Sequence, residues 1–264
     1  MKRYPKRRRG IKRPIEIVEE DAQRDAARNG RKAEVLLAGY IQAHEETTKW
    51  IIDEINECPY ERTGAKVRAG MEKPDVVIYD VKSGKDYGLI SLKCCVDFQT
   101  GFNQIKRCSL KNFSKEFDAP ENIQAILRKY TYRRKKLRLK GKNYTQDELD
   151  TLTSFLNTKR KALLLSAFTG QDKKSKANWL LLHRWTHPKW EKNVARRESS
   201  ELISMQEIIA LFEKLEVNYG KYGTITFGAG VTIQRKGGEG KKESSNDLQF
   251  KMRTKLLLKA LTRL

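Results

Sequence analysis

Three positions in the first third of the chain have the types and spacing to do chemistry together. They are Asp75, which follows Pro74, and Ser91 and Lys93, which flank Leu92. Phosphodiester hydrolysis needs a carboxylate to hold a divalent cation, the cation to neutralise charge and lower the pKa of water, and a basic group near the attacking water. Asp75 and Lys93 supply the carboxylate and the ammonium. The fifteen residues between Asp75 and Ser91 are enough for two short strands and a turn. Alternation along a strand puts Ser91 and Lys93 on one face and Leu92 on the other, so paired strands would bring Asp75 and Lys93 together. The same residues also suit a plain solvent-facing hairpin.

The elements that must position these groups are legible around them. Val76-Val77-Ile78-Tyr79 is a β-branched run, Lys82-Ser83-Gly84-Lys85 carries turn residues, and Tyr87 to Phe98 is a second extended run. Ahead of the hairpin, Glu19 to Glu46 contains no proline and repeats Ala33, Leu36, Leu37, Tyr40 and Ile41 at helical spacing. A second periodic stretch, Trp50, Ile51, Ile52 and Ile55, stops before Cys58-Pro59. After Gly101 the pattern predicts helix to about Phe113, and helix again from Pro120 to Tyr130. Thr145 and Glu148 form a capping box ahead of Leu149, Leu152, Phe155 and Leu156. The run Ala162 to Leu165 suits a buried strand or a continuing helix. Trp179 to Leu182 reads as a strand and Ser204 to Leu215 as a helix. Three strands follow at Thr224 to Phe227, Val231 to Lys236 and Leu248 to Met252, the last two separated by Gly237, Gly238 and Gly240.

Lys and Arg number 55 against 33 Asp and Glu, a net charge of +22, the imbalance expected of a protein that neutralises phosphates. Residues 1–14 hold eight basic residues and no acid, and residues 128–142 hold nine and no acid. The first reads as a basic arm or a solubilising tail, the second as a phosphate-attracting block or a charged loop. With no long apolar stretch and no signal peptide, the chain is expected to stay off the membrane and to reside in the cytoplasm. Cys58, Cys94, Cys95 and Cys108 show no CxxC pairing and read as reduced and structural, with Cys94 and Cys95 on opposite faces of a strand. His183 and His187 would share a helical face as metal ligands, but no acidic or cysteine partner accompanies them in sequence.

The C-terminal strands carry polar tips. Along Val231 to Lys236, alternation puts Thr232, Gln234 and Lys236 on one face and Val231, Ile233 and Arg235 on the other. In the returning strand Leu248, Phe250 and Met252 point inward, with Gln249 and Lys251 outward. Glutamine can bond two edge atoms of adenine, and arginine or lysine can bond guanine O6 and N7. An amphipathic hairpin covering the core would show the same alternation without needing so many amide and cationic tips.

Pro74-Asp75 followed by Ser91-Leu92-Lys93 resembles the PD-(D/E)XK nuclease motif, with serine where the motif has its middle acid. Gly101-Phe-Asn-Gln-Ile105, Thr226-Phe227-Gly228, Val231-Thr-Ile-Gln-Arg-Lys-Gly-Gly238 and Asn246-x-Leu-Gln-Phe-Lys251 resemble segments of the HinP-type, MspI-like branch of type II restriction endonucleases. The likeness spans about residues 20–252. It implies an α/β fold with a PD-(D/E)XK restriction-endonuclease-like core, a central mixed β-sheet flanked by helices, and an added C-terminal β-hairpin region. It implies a basic arm at 1–18 and one endonuclease domain over 19–264, with the catalytic core in 19–130 and recognition and supporting elements in 131–264. Asp75 and the Leu92 carbonyl would bind Mg²⁺, or Mn²⁺ in its place. Glu34, in a Gly30-x-x-x-Glu34 helix, would compensate for Ser91 or stand as a solvated charge. Lys93 would orient or activate water. Asn103 and Gln104, with Gln234, Arg235, Lys236, Gln249 and Lys251, would contact DNA, although Asn103 or Gln104 could instead cap a helix.

The substrate implied is double-stranded DNA, cut at a short G/C-containing palindrome, by a monomer or a homodimer working beside a methyltransferase of the same specificity. Two other readings fit the charge. A structure-specific or repair nuclease would share the core, and a packaging protein would bind DNA or RNA without cutting it.

Overall fold

The computed structural model describes residues 35, 37–39, 41, 45–55, 62–67, 74–95, 102–131, 144–170, 176–184, 200–219, 224–235 and 247–263. The basic arm, Glu34, most of the 128–142 block, Cys58, His187 and Lys236 lie outside them.

Two five-stranded sheets organise the described chain. The first contains β1 (Thr63–Val67), β2 (Val76–Asp80), β3 (Asp86–Cys95), β5 (Trp179–Arg184) and β6 (Ser200–Ser204) in the order β1-β2-β3-β5-β6. It is mixed: β3 and β5 run parallel, and every other pair is antiparallel. The second contains β4 (Phe102–Ser109), β7 (Asn218–Tyr219), β8 (Ile225–Gly228), β9 (Val231–Arg235) and β10 (Asp247–Arg253) in the order β4-β10-β9-β8-β7, antiparallel throughout.

Helix α1 (Glu45–Ile55) and the helical residues Leu37, Ala38 and Ile41 cover one face of the first sheet. There they form a cluster with Val76, Ile78, Ile90, Leu92, Cys94 and Leu181. A Cβ on Gly88 would stand 2.6 Å from Ile55 Cδ1, so α1 sits close on β3 and a larger residue at 88 would push the tip of the Ile55 side chain aside. The other face of the sheet contributes Leu180, Leu182 and Ile203 to a larger cluster. That cluster also holds the inner face of the second sheet (Ile225, Val231, Ile233, Leu248, Phe250 and Met252) and residues from six helices. These are α2 (Leu110–Phe117), α3 (Glu121–Thr131), α4 (Gln146–Thr158), α5 (Arg160–Thr169), α6 (Met205–Glu213) and α7 (Thr254–Leu261). Burial of each such Leu, Ile or Phe contributes about 1.5–3 kcal/mol, and shared burial joins the two sheets through one core.

The capping box at Thr145 and Glu148 starts α4 as the sequence predicts, and a second at Ser204 and Glu207 starts α6. Residues 161–168 are helical, within α5. One expectation is overturned. The stretch after Gly101 is not helical: residues 102–109 form β4, and the helix begins only at Leu110, with the Ser109 hydroxyl accepting from the Asn112 N–H. The register of β4 against β10 passes from Lys106 opposite Phe250 to Gln104 opposite Lys251. Ile105 is therefore the extra residue of a β-bulge. Its extra step makes Asn103, Ile105, Cys108 and Leu110 the buried positions, which breaks the period-two alternation by which a strand is read in sequence. No helix among the described residues is long and apolar enough to cross a membrane.

Candidate active site

The β2–β3 hairpin is locked at its turn by Asp80. Its carboxylate accepts from the backbone N–H groups of Lys82 and Ser83, both at 2.8 Å, and from the Tyr87 hydroxyl at 3.2 Å, and it pairs with Arg62 at 3.0 Å. The Ser83 N–H, above all, holds this carboxyl down at about 2. At the other end of the hairpin the strands cease to match. The Asp75 N–H donates to the Ile90 carbonyl at 2.8 Å, but β3 runs on to Cys95 with β5 as its paired neighbour.

Past that point the Leu92 N–H donates to Asp75 Oδ2 at 2.7 Å, and Lys93 Nζ donates to the Leu92 carbonyl at 2.6 Å. Asp75 and Lys93 thus meet on the main chain of one residue. Register places Ser91 beside Leu180 and Lys93 beside Leu182, on the face turned to the larger core. Ser91 is fully buried and Lys93 is 8 % exposed. Ser91 Oγ has no hydrogen-bond partner among the described residues.

Carboxylate, carbonyl and hydroxyl oxygens are hard donors of the kind Mg²⁺ or Mn²⁺ accepts. The orphaned Ser91 hydroxyl is such a donor in want of a partner, so the residues fit a divalent cation. Among the described residues no cluster of three or more His, Cys, Asp or Glu side chains accompanies them. Asp75 is the acidic side chain that the Leu92 N–H holds here.

The metal pair suggested by His183 and His187 does not take the helical form expected. His183 lies on β5, where its Nδ1 and the Ser200 hydroxyl are 2.8 Å apart. Burial pushes the imidazole down to about 4, and Nε2 is buried without a partner among the described residues. Cys94, Cys95 and Cys108 are buried, and burial pushes the Cys108 thiol up to about 11.

The second sheet gathers part of the expected DNA-contact set. Gln249 pairs in register with Gln234 on one side and Arg107 on the other, while Lys251 pairs with Thr232 and Gln104. Cross-strand partners share a face, so Arg107, Gln249 and Gln234 form one row and Gln104, Lys251 and Thr232 the next. Gln104 is exposed, Gln234 and Lys251 are half-buried, and Gln249 is 9 % exposed. Burial lowers the Lys251 ammonium from its ordinary range.

Two expected contacts fall elsewhere. Arg235 lies on the opposite face, its guanidinium 5.5 Å from the Tyr130 ring centroid and its N–H donating to the Tyr130 hydroxyl at 3.3 Å. Asn103 is 8 % exposed, and its Nδ2 donates to Thr254 Oγ1 at 3.2 Å, tying the start of β4 to α7. Arg107 belongs to this face as well, although the sequence pattern does not show it. It lies three positions after Gln104, which regular strand alternation would put on the opposite face, and the bulge brings both to one.

A family model described as R.HinP1I restriction endonuclease matches residues 75–258 of this chain. Among solved structures, the chain is similar to the restriction endonuclease MspI in complex with its cognate DNA. The TM-score is 0.51 and the identity 11 %, over 78 % of this chain and 77 % of that one; likeness at that identity shows the fold. No curated protein matches.

Proposed function

Since this chain belongs to the R.HinP1I restriction endonuclease family, and is a type II site-specific endonuclease, we propose that it cuts double-stranded DNA at a short G/C-containing palindrome with Mg²⁺ and with Asp75, Ser91, Leu92 and Lys93 at the reacting phosphate. The observation that carries this is the meeting of the Asp75 carboxylate and the Lys93 ammonium on the main chain of Leu92. MspI was solved with its cognate DNA, and the +22 charge suits the same polyanion.

Asp75, the Leu92 carbonyl and Ser91 would hold the cation, with Glu34 as a second carboxylate. Bound there, Mg²⁺, or Mn²⁺ in its place, lowers the pKa of water and neutralises charge on the phosphate. Lys93 lies on the carbonyl that would face the cation, so it swings from Leu92 toward the attacking water or a non-bridging oxygen. The water oxygen forms a bond to phosphorus as the bond to the 3′-oxygen breaks, leaving a 5′-phosphate and a 3′-hydroxyl. Burial of Ser91 and Lys93 keeps other water from screening these charges.

The face carrying Gln104, Gln234, Gln249 and Lys251 reads base edges, Lys236 adds a further DNA contact, and Arg235 and Asn103 support that face from behind. The basic arm at 1–18 and the block at 128–142 add phosphate contacts. A methyltransferase of the same specificity would protect the host DNA, and the enzyme acts as a monomer or a homodimer.

Digestion of unmethylated plasmid with Mg²⁺, with Mn²⁺ and with EDTA, followed by sequencing of the ends, tests this reading. Discrete metal-dependent fragments sharing one short motif support it. Cleavage without a shared motif would favour a structure-specific nuclease, and salt-sensitive binding without cutting a packaging protein.

A further inference from the structure

We infer that Arg107 reads a guanine and that Asp247 is its positioning residue, an assignment that rests on the endonuclease reading above. Arg107 stands on β4 beside Gln249, which stands beside Gln234. Its Nε and Nη2 donate to Asp247 Oδ2 at 2.7 and 2.5 Å. The Arg107 side chain is 39 % exposed and that of Asp247 18 %. The guanidinium is therefore reachable from solvent but already held.

The partner distinguishes between the two things an arginine can bind on DNA. A phosphate clamp works through its positive charge, and an adjacent carboxylate cancels that charge and repels the incoming phosphate. Guanine's major-groove edge has no net charge and offers two acceptors, O6 and N7, which match two parallel N–H donors. With Nε and one Nη2 hydrogen engaged by Asp247, the fork of Nη1 and the remaining Nη2 hydrogen is left to meet them. Asp247 also orders a long side chain before DNA arrives, which removes part of the entropy cost of binding.

As a mere staple between β4 and β10 the pair is superfluous. Seven register pairs already join those strands, and an ion pair this exposed adds little.

The test uses the full chain. The wild-type motif is first defined on a randomised duplex library by end sequencing. Arg107→Ala, Arg107→Lys and Asp247→Asn are then run on the same library and on duplexes with 7-deazaguanine at each guanine in turn. DNA binding is measured in EDTA across a salt series.

Arg107→Ala is expected to lose about tenfold to a hundredfold discrimination at one G·C pair. It should become insensitive to 7-deazaguanine there and keep the wild-type salt slope. Arg107→Lys and Asp247→Asn are expected to weaken discrimination at that same pair.

An Arg107→Ala enzyme that cuts the same motif with the same selectivity overturns the assignment, whether or not its melting temperature falls. A uniform loss of affinity with a salt slope smaller by about one would make Arg107 a phosphate contact instead. If the wild-type chain cuts nothing, the endonuclease reading itself fails. A wild-type motif preserved by Arg107→Ala removes this assignment alone.

Discussion

The two sheets use polar groups in opposite ways. In the first, β3 outruns β2, and the unmatched main chain becomes part of the site: the Leu92 N–H holds Asp75 and its carbonyl holds Lys93. In the second, the ladder between β4, β10 and β9 continues through its bulge, and side chains stand in rows across it. Rows about 6.8 Å apart along a strand and about 4.8 Å apart across strands form a grid suited to spaced acceptors in a groove. Chemistry is thus built where pairing stops, and recognition where it persists.

The comparison breaks first at Asp75 and Lys93. Replacing either with alanine is expected to reduce plasmid cleavage by at least about a thousandfold, while DNA binding in EDTA remains measurable. Full activity in either variant would remove the first sheet from the chemistry.

The next effect also belongs to the first sheet. His183 is held neutral by burial, with Arg184 adding to the effect, at about 4 against an ordinary 6.5. Its folded-state pKa is depressed, so its contribution, up to about 3 kcal/mol, is present above pH 6.5 and is lost as pH falls toward 4. Urea unfolding at pH 7.5 and pH 5 should show this loss. A His183→Gln variant with the wild-type pH dependence would assign it to other groups.

A smaller effect tests the second sheet. Gln234→Ala should relax the choice of one base pair by about tenfold to a hundredfold while the metal requirement stays. Unchanged fragment ends would take Gln234 off the reading face.

The smallest concerns Ser91, whose hydroxyl is buried without a partner among the described residues. Ser91→Ala removes an unmet hydrogen bond, so stability against urea should rise by about 1 kcal/mol. The Mg²⁺ concentration needed for cleavage should rise with it. An unchanged metal titration would mean that Ser91 is not a donor.

Much of this was legible in the chain. Pro74-Asp75, the β-branched run after it and the Ser-Leu-Lys alternation place the hairpin and its two charged groups, because period-two patterning survives in a paired strand. The alternation of Val231 to Arg235 likewise fixes its two faces, including the inward side to which Arg235 belongs. Where the reading failed, a local irregularity had replaced the regular period. The bulge broke the period-two alternation of β4, so that Gln104 and Arg107 do not read from the sequence as one strand face. The His-x-x-x-His spacing suits a helical face, but His183 lies on β5, an inner strand of the mixed sheet with residues buried on both faces. Asn103 has the chemistry of a base reader, yet the Thr254 hydroxyl that takes its amide lies about 150 residues away in sequence, beyond any local pattern.

The bulge at Ile105 also bears on how much change the strand itself can absorb. Deleting that one residue would restore simple alternation in β4 and leave Gln104 outward beside Lys251, with Arg107 still beside Gln249. The bulge thus takes up an extra residue without turning over any side chain of the outer face. A lineage could gain or lose that residue, altering the local twist and the spacing of the two tips, with Asp75 and Lys93 untouched.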